Sequence, residues 1–248
     1  MEEGAEIKAN LILAIQTQDI NTITSTLATC HISLPDLRDF SNHTIFHDLS
    51  SCTVPESDLL SFITQLKSYF FDISQYTDLL NTQSLLDQQT ALHIAVKHNK
   101  KVKIKQKLVK EYLNLGADFN IKDKNLQTVC HLAAIYGKTA LLALFHSLGA
   151  GLEEKDFIGR LPLHLAAMEG NETSCLWLIA NFCEFDVQDR DGMTPLHYAA
   201  VSGSYRVARH LVQKGANRLI RDKLGRTPLD IAKAKGGNSI LQVLVRVN

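Results

Sequence analysis

The stretch Asp189-Arg190-Asp191-Gly192-Met193-Thr194-Pro195-Leu196-His197-Tyr198-Ala199-Ala200 decides the fold. Gly192 permits the positive φ of a tight hairpin tip. Thr194 and Pro195 open a helix, because the hydroxyl can cap free N–H groups and proline suits the first turn. Leu196, Ala199 and Ala200 recur at helical spacing, and the alanine pair keeps the helix thin enough for a neighbour to approach closely. Gly203 ends it. Tyr205 to Lys214 reads as a second amphipathic helix with Val207, Ala208, Leu211 and Val212 inward, stopped at Gly215-Ala216. One helical pair of this kind cannot bury its own apolar face, so it needs copies on either side.

The copies are present. Thr227-Pro228-Leu229-Asp230 follows Thr194-Pro195-Leu196-His197 by 33 residues, and Leu161-Pro162-Leu163-His164 precedes it by 33. Thr128-Val129-Cys130-His131 lies another 33 back, Thr90-Ala91-Leu92-His93 a further 38, and Thr44-Ile45-Phe46-His47 a further 46. On these residues the chain resembles the ankyrin repeat family, whose units run about 33 residues and carry Thr-Pro-Leu-His-x-Ala. The resemblance implies an all-α solenoid of stacked helix-turn-helix units with β-hairpin-like finger loops. Five repeats are expected at 85–122, 123–155, 156–188, 189–221 and 222–248. A degenerate repeat with a long insertion precedes them at 39–84, and divergent capping helices occupy 1–38.

The 248 residues carry 26 basic and 26 acidic side chains, unevenly placed. Residues 1–96 hold 3 basic and 12 acidic groups; the remainder holds 23 and 14. Such polarity can steer a charged partner, although it is equally the decoration of solvent-facing helices. No apolar run approaches the ~20 residues of a membrane span. The acidic start, Met1-Glu2-Glu3-Gly4-Ala5-Glu6, is unlike a secretory signal. Five cysteines without paired spacing point to reduced thiols and a cytoplasmic or nuclear protein. Cys130 replaces a buried Leu and reads as a small core residue.

Departures from the repeat mark expectations of their own. Asn42 and Leu126 stand in the glycine slot of the turn, and Leu161 replaces a threonine, at a cost of about 1 kcal/mol for a lost cap. Residues 5–29 suggest a helical pair broken near Asp19 and Asn21. Thr53-Val54-Pro55-Glu56 reads as a capping box ahead of Leu59, Leu60, Phe62, Ile63, Leu66, Tyr69 and Phe70. The extra residues there predict an elongated helix or an ordered loop, and the aromatics Phe62, Tyr69, Phe70, Phe71 and Tyr76 read as core before they read as a partner patch. Lys97, Lys100, Lys101, Lys103, Lys105, Lys107 and Lys110 form a basic run. It lacks interleaved aromatics and arginines, so a solvated helix face is preferred over nucleic-acid binding. Trp177 is expected between repeats, and Asn181-Phe182-Cys183 at an irregular helix end. The final helix, Ile240 to Val247, is apolar enough to be a cap that meets a partner or part of something longer.

No Ser/His/Asp arrangement and no phosphate-binding glycine loop is legible. The resemblance implies that His93, His131, His164 and His197, with His47, are struts that bond the threonine hydroxyl and an adjacent loop. A ladder of rings about 10 Å apart, the usual helix-to-helix distance, excludes shared metal coordination. His98, His146 and His210 look isolated. Asp123, Asp156, Asp189 and Asp222 recur in the turn slot, where a carboxylate bonds backbone N–H groups. Neither a catalytic group, a metal nor a cofactor is expected.

The resemblance implies protein binding through the concave face of finger tips and first helices. Carried over, the tip candidates are Lys124, Asn125, Gln127, Phe157, Ile158, Arg160, Arg190, Asp191, Met193, Lys223, Leu224 and Arg226. The helix candidates are Ile135, Tyr136, Met168, Glu169, Val201 and Ser202. Phe157, Ile158, Tyr136 and Met168 are apolar where solvent is expected, which places the preferred contact mid-groove. The expected role is a non-catalytic adaptor or scaffold with protein partners. The alternative is the recruiting domain of a larger kinase, acyltransferase or channel.

Overall fold

The computed structural model describes residues 2–17, 22, 38–51, 55–69, 73–97, 106–181, 184–236 and 238–245. Two compact units are present, Met1–Lys124 and Asn125–Asn248. Among the described residues all regular structure is helical, apart from one antiparallel bridge between Arg38 and Thr44.

The second unit is four helical pairs: α7 (Val129–Ile135) with α8 (Thr139–Ser147), α9 (Pro162–Met168) with α10 (Glu172–Ala180), α11 (Pro195–Ser202) with α12 (Tyr205–Gln213), and α13 (Pro228–Ala234) with α14 (Asn238–Val245). First helices pack in a row, α7 on α9, α9 on α11 and α11 on α13. The second helices form a parallel row from α8 to α14. Alanines make the close inner packing possible: Ala133, Ala166, Ala167 and Ala199 are fully buried. In α12, Val207, Ala208 and Leu211 are buried as the periodicity predicts, while Val212 is only half-buried.

Three of these first helices, α7, α9 and α11, carry a histidine in their first turn. Thr194 N–H donates to His197 Nδ1 at 3.1 Å, so that nitrogen holds the lone pair and the ring proton sits on Nε2. Nε2–H then donates to the Arg226 carbonyl of the next finger at 3.1 Å. His131 reaches Arg160 O and His164 reaches Val187 O in the same way. The threonine hydroxyl at 128 and 194 also lies against the ring nitrogen and so supports the imidazole. This is why Leu161 is tolerated: its N–H still meets His164 Nδ1 at 3.0 Å. At α13 the strut becomes a true reciprocal box, with Asp230 accepting from Thr227 and donating its N–H back.

In the first unit, α1 (Glu2–Thr17) packs on α2 (Ile45–Ser51) and α3 (Glu56–Tyr69). α4 (Ile73–Asn81), α5 (Ala91–Lys97) and α6 (Gln106–Asn114) complete it. The long insertion therefore gives both a lengthened helix, 14 residues in α3 against 9 in α6, and an additional one, α4. Phe62 and Tyr76 are buried, and Phe46 meets Tyr76 and Tyr112 edge-on at 6.3 and 5.6 Å, so these aromatics are core. Glu56 Oε1 accepts from Lys107 and Leu108 N–H at the start of α6. Phe70, Phe71, Thr53, residues 98–105, Phe182, Cys183 and most of 18–37 lie outside the described residues. Cys130 and Cys175 are buried free thiols, and burial pushes Cys175 up to about 12.

Candidate protein-binding surface

The candidate surface is built by the fingers. Asp156 Oδ1 accepts the N–H groups of Ile158 and Arg160, closing a hairpin-like turn with a bond from Asp156 N–H to Arg160 O. Asp189 and Asp222 repeat this arrangement. The glycines in the turn slot take φ of +83°, +75° and +73° at 159, 192 and 225. Asn42, Gln88 and Leu126 hold the same left-handed geometry without being glycine. Gln88 carried no signal in the repeat alignment, because its finger has Leu85 in place of the aspartate.

Successive tips are then hydrogen-bonded to each other. In the second unit Phe157 N–H donates to Asn125 O, Arg190 N–H to Ile158 O and Lys223 N–H to Asp191 O, at 2.8, 2.8 and 2.9 Å. In the first unit Leu85 N–H donates to Ser41 O and Lys124 N–H to Asp87 O. The side chains at the tips are thus set on a stiff backbone rail, although no strand forms.

The predicted residues divide by what they touch. Phe157 is 58 % exposed, and the Arg190 guanidinium lies 5.2 Å from its ring centre. Such a pair joins an apolar face to a cation. Lys124, Asn125, Asp191, Lys223 and Leu224 are exposed, with Leu224 at 75 %. Ile135, Tyr136, Ile158, Met168, Met193 and Val201 are half-buried, and Glu169 and Ser202 are exposed. Burial raises the Tyr136 hydroxyl above its usual range, and nearby Glu169 adds to the effect.

Three expectations need correction. Gln127 is 7 % exposed, so its side chain is not displayed at a tip. Arg160 is held by Asp156 through Nε and Nη2 at 2.9 and 2.8 Å and reaches Met168 Sδ at 3.8 Å, so its charge is already neutralised. Arg226 is paired with Asp222 in the same geometry. Burial opposes ionisation of Asp222, but the bonds from Arg226 outweigh it and hold the carboxyl below its usual range.

Sequence reading missed other contacts. His146 meets Trp177 edge-on at 5.7 Å, and His210 Nε2 lies 3.1 Å from Glu172, which also pairs with Arg206. These two histidines are therefore not isolated; no local motif announces a partner 31 or more residues away. Phe40 and Leu86, 69 and 72 % exposed on tips of the first unit, were not selected either.

A family model described as ankyrin repeats, in three copies, matches residues 102–189 and 163–248. The chain belongs to the ankyrin repeat family. No curated protein matches it. Ankyrin repeats are generally protein-interaction modules and are typically non-catalytic. Among the described residues no group of three His, Cys, Asp or Glu side chains could hold a metal, and the ankyrin histidines spend their ring nitrogens on the scaffold. No helix among them is long and apolar enough to cross a membrane.

Proposed function

We propose that the chain is a non-catalytic adaptor or scaffold that captures a protein partner on the tips and first helices of its second unit. The observation that carries this reading is Phe157 standing exposed beneath Arg190. The scaffold contacts are spent on Asp–backbone and His–backbone bonds, so these side chains are surplus to folding. A large aromatic with a cation at the centre of a patch is the usual anchor of a protein interface. A protein partner suits the surface better than nucleic acid, because Phe157 is the sole aromatic at these tips and no row of stacking platforms accompanies it. Reduced thiols favour action in the cytoplasm or nucleus. The same surface would serve a recruiting role within a longer protein.

The test is partner capture from lysate with the triple variant Phe157→Ala, Met168→Ala, Arg190→Ala. Its helical content should match the wild type and its captured proteins should be lost. An unchanged capture profile would overturn the assignment.

A further inference from the structure

We propose that the last three fingers of the second unit, with the helix that follows them, receive an acidic peptide segment anchored by apolar side chains. This rests on the reading of that face as the partner surface and names the partner's chemistry.

Between residues 217 and 235 the chain carries Arg218, Arg221, Lys223, Arg226, Lys233 and Lys235 against only Asp222 and Asp230. Asp222 is buried in the scaffold, whereas Asp230 is exposed but lies under the pull of Thr227, Lys233 and Arg221. Asp222 is committed to Arg226 and to the N–H groups of Leu224 and Arg226. Asp230 accepts both the N–H and the hydroxyl of Thr227. After these pairings the segment keeps a surplus of positive charge. Lys223 and Lys233 are exposed, and among the described residues neither has a carboxylate within 4 Å, although Lys233 draws on Asp230 at longer range, while Lys235 tips its ammonium onto the Val201 carbonyl. Arg190 extends the cations to the preceding finger, and the bond from Lys223 N–H to Asp191 O holds the two tips side by side.

Charge alone would suit any polyanion. The apolar tips argue for a peptide: Phe157 and Leu224 flank the cations, and both are more than half exposed. A peptide with Asp or Glu beside Leu- or Phe-type side chains uses both features, whereas a phosphate chain leaves the apolar surface wet. Asp191 sits between Arg190 and Lys223 in the row and penalises an unbroken run of negative charge. The hydrogen-bonded rail fixes where Arg190 and Lys223 are rooted, so the fingers themselves need no ordering on binding.

The experiment is selection of a randomised displayed peptide library on the immobilised full chain, with the enriched clones re-measured by anisotropy. Enriched peptides should combine acidic with aliphatic or aromatic residues. The charge-reversed variant R190E/K223E/K233E should bind them at least about tenfold more weakly, with unchanged helical content. Basic or uncharged winners, the absence of enrichment, or acidic winners indifferent to charge reversal would overturn the proposal. So would heparin-like polyanions that bind as well as the peptides and displace them whatever their apolar content. Clones lost on F157A but indifferent to charge reversal would overturn only the acidic-partner assignment. Clones indifferent to both variants would remove the finger surface as well.

Discussion

Tyr198 Oη donates a 2.7 Å hydrogen bond to Asp189 Oδ2. In the flanking repeats the same carboxylate oxygen is held by Arg160 or Arg226, four residues after its aspartate. Met193 occupies that place in the 189 finger and cannot donate. The first-helix tyrosine replaces the missing guanidinium and also packs edge-on against His164 at 5.9 Å. Burial, then the bond to Asp189, pushes its phenol well above the usual range.

Tyr198→Phe should therefore keep the ring packing yet strand a buried carboxylate oxygen. The expected loss is about 1–2 kcal/mol, read as a lower urea midpoint with unchanged slope. Met193→Arg should rebuild the neighbours' ion pair and recover most of that loss in the double variant. A neutral Tyr198→Phe would show that Asp189 Oδ2 needs no partner.

The histidine struts make stability depend on pH. His164 accepts on Nδ1, so a second ring proton breaks the bond to Leu161 N–H. Burial lowers its pKa from 6.5 to about 4, and it lowers His197 in the same direction. The unfolded chain then binds more protons than the folded one between about pH 6.5 and 4. Stability is complete above pH 6.5 and declines as pH falls toward 4, by roughly 3 kcal/mol from His164. Urea midpoints across this range should fall steadily, and ring ¹⁵N shifts at neutral pH should show Nε2 protonated. A flat profile would contradict the assignment.

Turn geometry separates two kinds of glycine. Leu126 holds φ of +56°, a conformation that costs an L-residue about 1–2 kcal/mol, so Leu126→Gly should raise the thermal midpoint. Gly192→Ala should do the reverse. Besides strain, its new Cβ would stand 3.0 Å from Lys223 N, the donor that links the tips. Gly225→Ala meets nothing within 4 Å and should cost less. Equal losses at 192 and 225 would show that the tip-to-tip bond is dispensable.

Glu56→Ala should loosen α6 although residue 56 lies in another helix. Removing the acceptor of two N–H groups at a helix start costs about 1 kcal/mol. Faster amide exchange at Lys107 and Leu108, with the α3 amides unchanged, is the expected result. Faster exchange confined to α3 would favour the local capping box instead.

The repeat register, the alternation of thin and amphipathic helices, the aspartate turns and the glycine positions are all legible in the sequence. Each depends on residues a few positions apart, where backbone sterics and local hydrogen bonds dominate. Exposed Phe157 is legible too, because a large apolar group in a tip slot departs from the pattern, and exposed Leu224 follows from its tip position alone. Folding alone decided which arginines are spent and which are offered. Arg160 and Arg226 pair with the aspartate four residues before them, whereas Arg190 has Asp186 at the same offset yet covers Phe157, and Asp186 accepts the Asn217 N–H instead. The same holds for Gln127 turning inward, Glu56 serving a distant helix and Tyr198 replacing an arginine. Such choices depend on which groups from remote repeats come within about 3 Å, the reach of a hydrogen bond, and a distance across the stack is set only when the repeats pack.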